Sequence, residues 1–198
     1  MREITQMQIN AARYANPLTL LPGNVPIDEH IDRLLENGTR FSACYIDLDH
    51  FKPYNDVYGY RKGDDMLRLT GKILSGHCDP QKDFVGHIGG DDFIILFQSE
   101  DWEQRCRAII DAFVAAVPDF YCTEDRKRGG YISEDRRGKQ VFHTLATISL
   151  GLVKVEPSLR FAPPDCSSNC RCEKAGEKNP WKQSVYSCLL YTSPSPRD

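Results

Sequence analysis

The sequence predicts an α/β (α+β) domain in which a central, mostly antiparallel sheet is flanked by helices, and three observations carry that expectation. Residues 85–97 are two apolar runs that meet at Gly89-Gly90, the pattern of a β-hairpin. Residues 41–48 and 142–155 are further stretches with strand-like apolar patterning. Between them, Ile27, Ile31, Leu34 and Leu35, and later Trp102, Cys106, Ile109, Ile110, Phe113 and Val117, recur at helical spacing.

Taken in order, Ile4, Met7, Ala11 and Tyr14 stand three and four residues apart, the spacing of an amphipathic helix over residues 1–15. Pro26 sits where a helix can begin and Gly38 lies past its end, so the apolar set from Ile27 to Leu35 is a core-facing helix. The strand at residues 41–48 delivers Asp47 to its C-terminal end, where acids in sheet proteins reach ligands. A further helix starts near Asp64 and buries Leu67, Ile73 and Leu74.

In the hairpin, Gly89-Gly90 supply the positive φ angles of a tight turn, and Asp91 and Asp92 are pushed out at its tip. Two carboxylates on a sharply turned backbone repel each other unless a cation sits between them. The turn therefore reads either as a metal-bound phosphate site or as a solvated acidic loop. Residues 119–140 are dense in charge of both signs and read as a solvated loop or projecting hairpin.

The chain has 198 residues, 40% of them hydrophobic, and a net charge of −3, which suits one domain without bulk electrostatic bias. With no basic stripe, nucleic acid is not an expected partner. No apolar run approaches the roughly 20 residues of a membrane helix and no signal-peptide core is present, so no membrane segment and a cytoplasmic location are expected. Cys44, Cys78, Cys106 and Cys122 are scattered without regular spacing and read as reduced, mostly buried thiols.

Three blocks stand in order: Asp47-Leu48-Asp49-His50-Phe51-Lys52-Pro53-Tyr54-Asn55-Asp56, then Gly59 with Gly63-Asp64, then Gly89-Gly90-Asp91-Asp92-Phe93. Together they strongly resemble the GGDEF family of diguanylate cyclases, over residues 16–157. Asn16 to Asn24 is similar to the turn that opens the family's domain, and Ser149-Leu150-Gly151 to a later family motif. The resemblance implies a fold like the polymerase palm and nucleotide cyclases. It implies a nucleotidyltransferase that joins two GTP into cyclic di-GMP with release of two pyrophosphates, a second-messenger reaction of bacteria. It also implies a homodimer that brings two GTP-loaded sites face to face, and an upstream regulatory domain joined through residues 1–15. A helix packed on its own domain is the other reading of those residues.

By the same resemblance, Asp47 and Asp91, with the Leu48 carbonyl, hold Mg²⁺ or Mn²⁺, and Asp92 stands where the common signature has Glu. Asn55 and Asp64 hydrogen-bond guanine, while Lys52, the backbone of His50 and Phe51, and Gly89-Gly90 belong to the substrate site. Asp49 and Lys52 also admit plainer readings, as a loop-holding acid and a surface lysine. Phe51 and Lys52 occupy positions where a calcium loop needs an oxygen ligand and glycine, and no G-x-x-x-x-G-K-[ST] sequence is present. The family's inhibitory R-x-x-D site is represented only by Asp83, in Pro80-Gln81-Lys82-Asp83. The alternative function is a catalytically silent GTP-binding module controlling an attached cyclic di-GMP phosphodiesterase, as the resemblance of residues 119–140 to an insertion in EAL- and CBS-linked GGDEF domains suggests.

From residue 158 the pattern changes, and the helix, final strand and Lys/Arg pair expected of the family are missing. Cys166, Cys170, Cys172 and Cys188 cluster there, but at irregular spacing and without histidine for a zinc site. Reading residues 179–186 one base out of frame permits Thr-Pro-Gly-Asn-Ser-Leu-Phe, similar to a GGDEF domain's end. Residues 158–198 are therefore expected to be a frame-shifted translation that finishes in a cloning or sequencing scar, outside the fold.

Overall fold

In the computed structural model, residues 13–134, 138–156 and 188–192 are described, the last five by their backbone alone. Residues 1–12 of the helix expected over residues 1–15, and Cys166, Cys170 and Cys172, lie outside the described residues.

Helix α1 (Asn24–Glu36) forms because Ile27, Ile31 and Leu34 make one apolar stripe, and all three are buried. Leu35, expected on the same face, is turned away and exposed. Strand β1 (Phe41–Asp49) is the centre of the sheet, with Cys44, Ile46 and Leu48 fully buried on one face. Helix α2 (Phe51–Tyr58) was not foreseen, and the next helix, α3 (Tyr60–His77), starts four residues before Asp64. Pro53 obscures α2, yet it sits in the first turn, where no intrahelical N–H is required; Phe51 and Tyr54, three apart, bury one face.

Strands β2 (Phe84–Gly89) and β3 (Asp92–Phe97) form the expected hairpin, followed by α4 (Trp102–Ala116), which buries Trp102, Cys106, Ile109, Ile110 and Phe113. A 3₁₀ turn (Val117–Phe120) and the short α5 (Thr123–Arg128) lead into β4 (Gly130–Glu134) and β5 (Gln140–Thr144), a separate two-stranded arm. The hairpin reading of residues 119–140 is the nearer one, although Tyr121 and Tyr131 within it are buried. The single strand expected over residues 142–155 is instead split at Leu145-Ala146 between β5 and β6 (Thr147–Val155), which belong to different sheets. Cys122 is exposed, whereas Cys44, Cys78 and Cys106 are buried and free as expected.

The main sheet runs β2-β3-β1-β6-β7, and every neighbouring pair is antiparallel. Its last strand, β7 (Cys188–Thr192), lies inside the stretch set aside as outside the fold and pairs with residues 149–153 of β6. Helices cover both faces. On one, α3 and α4 pack Met66, Leu67, Leu74, Ile109 and Phe113 against Ile46, Phe93, Ile95 and Ile148. On the other, α1 packs against Phe41, Ala43, Ile94 and Leu96. Each such buried aliphatic or aromatic side chain contributes about 1.5–3 kcal/mol, so both layers hold β1 rigid beneath the residues at its C-terminal end.

Candidate functional site

Strand alternation places Asp47 on the face opposite Ile46 and Leu48. The register pairs Ile46 with Phe93, which brings Asp47 level with Asp92 at the start of β3. Gly89 pairs with Asp92, so the central residues of the turn are Gly90 and Asp91 rather than the two glycines. Gly90 has φ +60° while Asp91 does not have a positive φ, the pattern of a II′ hairpin that needs glycine at its first central position. The turn thus places Asp91 beside Asp92, partly buried rather than extended into solvent.

The electrostatics follow from the acids lying near one another. Asp47 has its pKa pushed up to about 6, first by burial and then by the charges of Asp91, Asp92 and Asp49. Asp91 is also raised, chiefly by burial, with Asp92 adding to it against the lowering effect of its own backbone amide. Tyr45, one strand step from Asp47, is raised by burial and by its hydroxyl facing Asp92. Every charged group shifting Asp47 is another carboxylate, so a cation there would relieve the repulsion. Among the described residues no group of three or more His, Cys, Asp or Glu could itself hold a metal ion. Carboxylate oxygens are hard donors, the kind that suits Mg²⁺.

Asp49 takes the holding role, across strands: its Oδ2 accepts from Thr147 Oγ1 and Ser149 Oγ, both at 2.7 Å. His50 follows in the left-handed region, φ 62°, and caps α2, with Phe51 buried beneath and Lys52 exposed. One turn along α2, the Asn55 side-chain oxygen is buried with no hydrogen-bond partner. It packs against Gly63, where an added Cβ would come within 1.8 Å of it. Asp64 is the next residue of α3 and is partly exposed. A buried amide oxygen without a partner costs stability, and Gly63, against which it packs, is followed in the chain by Asp64.

The structure therefore brings Asp47, Asp91 and Asp92 together, and sets Asn55 against Gly63, the chain neighbour of Asp64. Asp83 is not a ligand-facing acid: its side chain is fully buried. Sequence reasoning missed the bracing of α2. Tyr54 donates to the Phe120 carbonyl at 3.0 Å and Tyr58 to Asp125, while Tyr121 and Tyr131 close a ring cluster around them. It also missed Tyr45 and His87; a histidine in an apolar strand two residues before Gly-Gly was the available signal for the second.

The fold is thus an antiparallel sheet flanked by helices, with an acidic corner at the end of its central strand. The chain belongs to the GGDEF family: residues 14–133 match the family model described as "Diguanylate cyclase, GGDEF domain". It is 36% identical over 93 residues to the diguanylate cyclase DgcZ of Escherichia coli, covering 46% of this chain and 31% of that protein. It is 32% identical over 106 residues to the diguanylate cyclase DgcP of Pseudomonas aeruginosa, covering 52% of this chain and 16% of that protein. The chain thus spans less than a third of these relatives' length. In fold it is similar to the diguanylate cyclase SiaD of Pseudomonas aeruginosa, solved with its activator SiaC, at TM-score 0.59 and 20% identity, covering 81% of this chain and 56% of that one. It is likewise similar to the coiled coil and GGDEF domain of DgcB from Caulobacter crescentus, solved with c-di-GMP, at TM-score 0.55 and 23% identity, covering 80% and 77%.

Proposed function

We propose that this chain is a diguanylate cyclase domain that condenses two GTP into cyclic di-GMP and two pyrophosphates for bacterial second-messenger signalling. The observation that carries the reading is the convergence of Asp47 and Asp91, where each charged neighbour raising Asp47 is an acid. Asp47, Asp91 and the Leu48 carbonyl would hold Mg²⁺ or Mn²⁺. When bound, such an ion neutralises the triphosphate and lowers the pKa of the attacking 3′-hydroxyl.

The protein's own part is binding and orientation. Asn55 and Asp64 offer an amide and an acceptor to the guanine edge, whose O6 accepts and whose N1–H and N2–H donate. The backbone at His50 and Phe51, Lys52, and the Gly89-Gly90 turn hold the phosphates in line, and Asp49 fixes the end of β1 on β6. Because each site carries one GTP, the bond-forming arrangement needs a second copy of the chain opposite the first. GTP supply fits a cytoplasmic location, and among the described residues no helix is long and apolar enough to cross a membrane. An upstream regulatory domain joined through residues 1–15 belongs to the same proposal.

The alternative, a GTP-binding module that regulates an attached phosphodiesterase, is favoured by one feature: Asp92 is a shorter acid than the family's Glu and already faces Tyr45 and Asp47. Incubation of the chain with GTP and Mg²⁺ separates the two. Cyclic di-GMP should form and should vanish in Asp91→Ala with the fold retained, because that turn residue contributes little packing. Saturable GTP binding without product would select the regulatory reading.

A further inference from the structure

We propose that His87 is a positioning residue for the acidic turn: as the neutral Nε2–H tautomer, its ring holds the Gly90 carbonyl and is itself oriented by the Thr19 hydroxyl. The ring is 2% exposed, in the last part of β2, and both nitrogens are engaged. Nε2 lies 3.0 Å from the Gly90 oxygen. A carbonyl can only accept, so Nε2 carries the hydrogen. Nδ1 lies 2.9 Å from Thr19 Oγ1, and in the neutral ring it accepts from that hydroxyl. Burial, the largest influence on the ring, favours the neutral form and outweighs the opposing effects of the Gly90 carbonyl and Asp92.

The surroundings fix the ring further. It stacks on Phe93 at 4.1 Å between centroids, and the His87 amide donates to the Pro22 carbonyl at 2.8 Å. Gly90 is the residue with φ +60° that sets the direction of Asp91, and the ladder is irregular between His87 and Gly89. Next to this irregularity, the imidazole ties the turn carbonyl of Gly90 to the loop at Thr19–Pro22. That loop is itself closed by Asn16, whose side chain accepts from the Leu18 and Thr19 amides at 2.9 and 3.3 Å. The histidine therefore acts through the turn, without touching substrate.

This deepens the cyclase reading, but its test can be made on the free chain. Long-range ¹⁵N–¹H spectra at pH 7 should show the Nε2–H tautomer, and Thr19→Val should reduce its share. In His87→Gln the amide nitrogen can still reach the Gly90 carbonyl; in His87→Asn the shorter amide can keep only the Thr19 contact. At matched global stability, hydrogen exchange of the Asp92 amide should quicken roughly five- to tenfold in His87→Asn, the value of about one hydrogen bond. In His87→Gln it should return to within about twofold of the natural protein. If the chain makes cyclic di-GMP, kcat should follow the same order while KM for GTP stays level. A Nδ1–H ring, an imidazolium at pH 7, or equal exchange in the Asn and Gln variants would overturn the proposal. None of these outcomes needs nucleotide or metal, so failure of the cyclase reading would leave them standing.

Discussion

The Ser99 hydroxyl lies 2.7 Å from both oxygens of the Asp83 carboxylate, and it is one of four donors that this carboxylate receives. The amides of Gln98 and Ser99 reach Oδ1 at 3.0 and 3.1 Å, and the Asp79 amide reaches Oδ2 at 2.9 Å. A carboxylate offers about four lone-pair sites, so Asp83 is filled by its own fold. It ties the loop before β2 to the end of β3, the frame from which the acidic turn projects.

Asp83→Ala should therefore act on stability. Removing the carboxylate strands buried amide donors and should cost about 2–4 kcal/mol. Thermal unfolding should show the midpoint falling by roughly 5–15 °C. A fall of under about 2 °C would show that these hydrogen bonds are replaced by water.

Gly63→Ala should do the reverse, sparing the fold and damaging recognition. The new Cβ would meet the Asn55 side-chain oxygen at 1.8 Å. That atom ends a side chain that can turn aside, and alanine is the better helix former. Affinity for GTP should drop about tenfold, as for one or two lost hydrogen bonds, with the unfolding midpoint nearly unchanged. Calorimetric titration with GTP and with ATP checks this: the gap between the two nucleotides should narrow. Undiminished GTP binding would remove Asn55 from the guanine site.

Such relationships mark where the sequence stops being legible. Helices α1 and α4 follow from period, because each buries one continuous stripe against the sheet, and strands β1 to β3 follow from their apolar runs and the Gly-Gly turn, being covered on both faces. Between β5 and β6 the same cue misleads, since residues 142–155 look strand-like throughout while the turn at Leu145-Ala146 is apolar and buried. Helix α2 is hidden by Pro53, and the tyrosines that brace it are hidden by surrounding charge. At the site, Asp47, Asp91, Asn55 and Asp64 were legible as motif residues. Asp49 was legible as a holding acid but its partners on β6 were not, and the roles of Asp83 and His87 were hidden because partners such as Gln98 and Thr19 lie 15 and 68 residues away.

His30 should give the fold an acid-sensitive step. Its pKa is lowered to about 4 by burial and by the Arg33 charge, and its ring stacks on Phe84 at 4.3 Å. The folded chain keeps the ring neutral while the unfolded chain protonates it near 6.5, so between about pH 6.5 and 4 the unfolded state binds more protons. The contribution is complete above that window and is lost as pH falls through it. Discounted for partial exposure, the loss between pH 7 and 5 is about 1 kcal/mol. Urea unfolding at the two pH values should show this difference shrinking in His30→Gln. An equal pH dependence in both proteins would assign the acid sensitivity to other groups.

The last prediction concerns control by product. In feedback-inhibited relatives the R-x-x-D arginine is expected to grip the ligand with parallel charge-assisted hydrogen bonds, each worth about 1.5–3 kcal/mol. Pro80 donates none, and Lys82 is an exposed point charge on a flexible stem. Nor can Arg105, the nearest cation to Asp83 at 3.9 Å, take the arginine's place, because it is held by Asp101 at 2.8 Å and by the His77 carbonyl at 3.0 Å. The loss of two such bonds weakens binding by about two to four decades. Restoring the arginine with Pro80→Arg should recover little, since Asp83 has no acceptor site left for guanine. Titration with cyclic di-GMP should therefore give no saturation below about 100 μM in either protein. Micromolar binding in Pro80→Arg would show that Asp83 can exchange its internal donors for a ligand, and that the arginine alone is what this loop lacks.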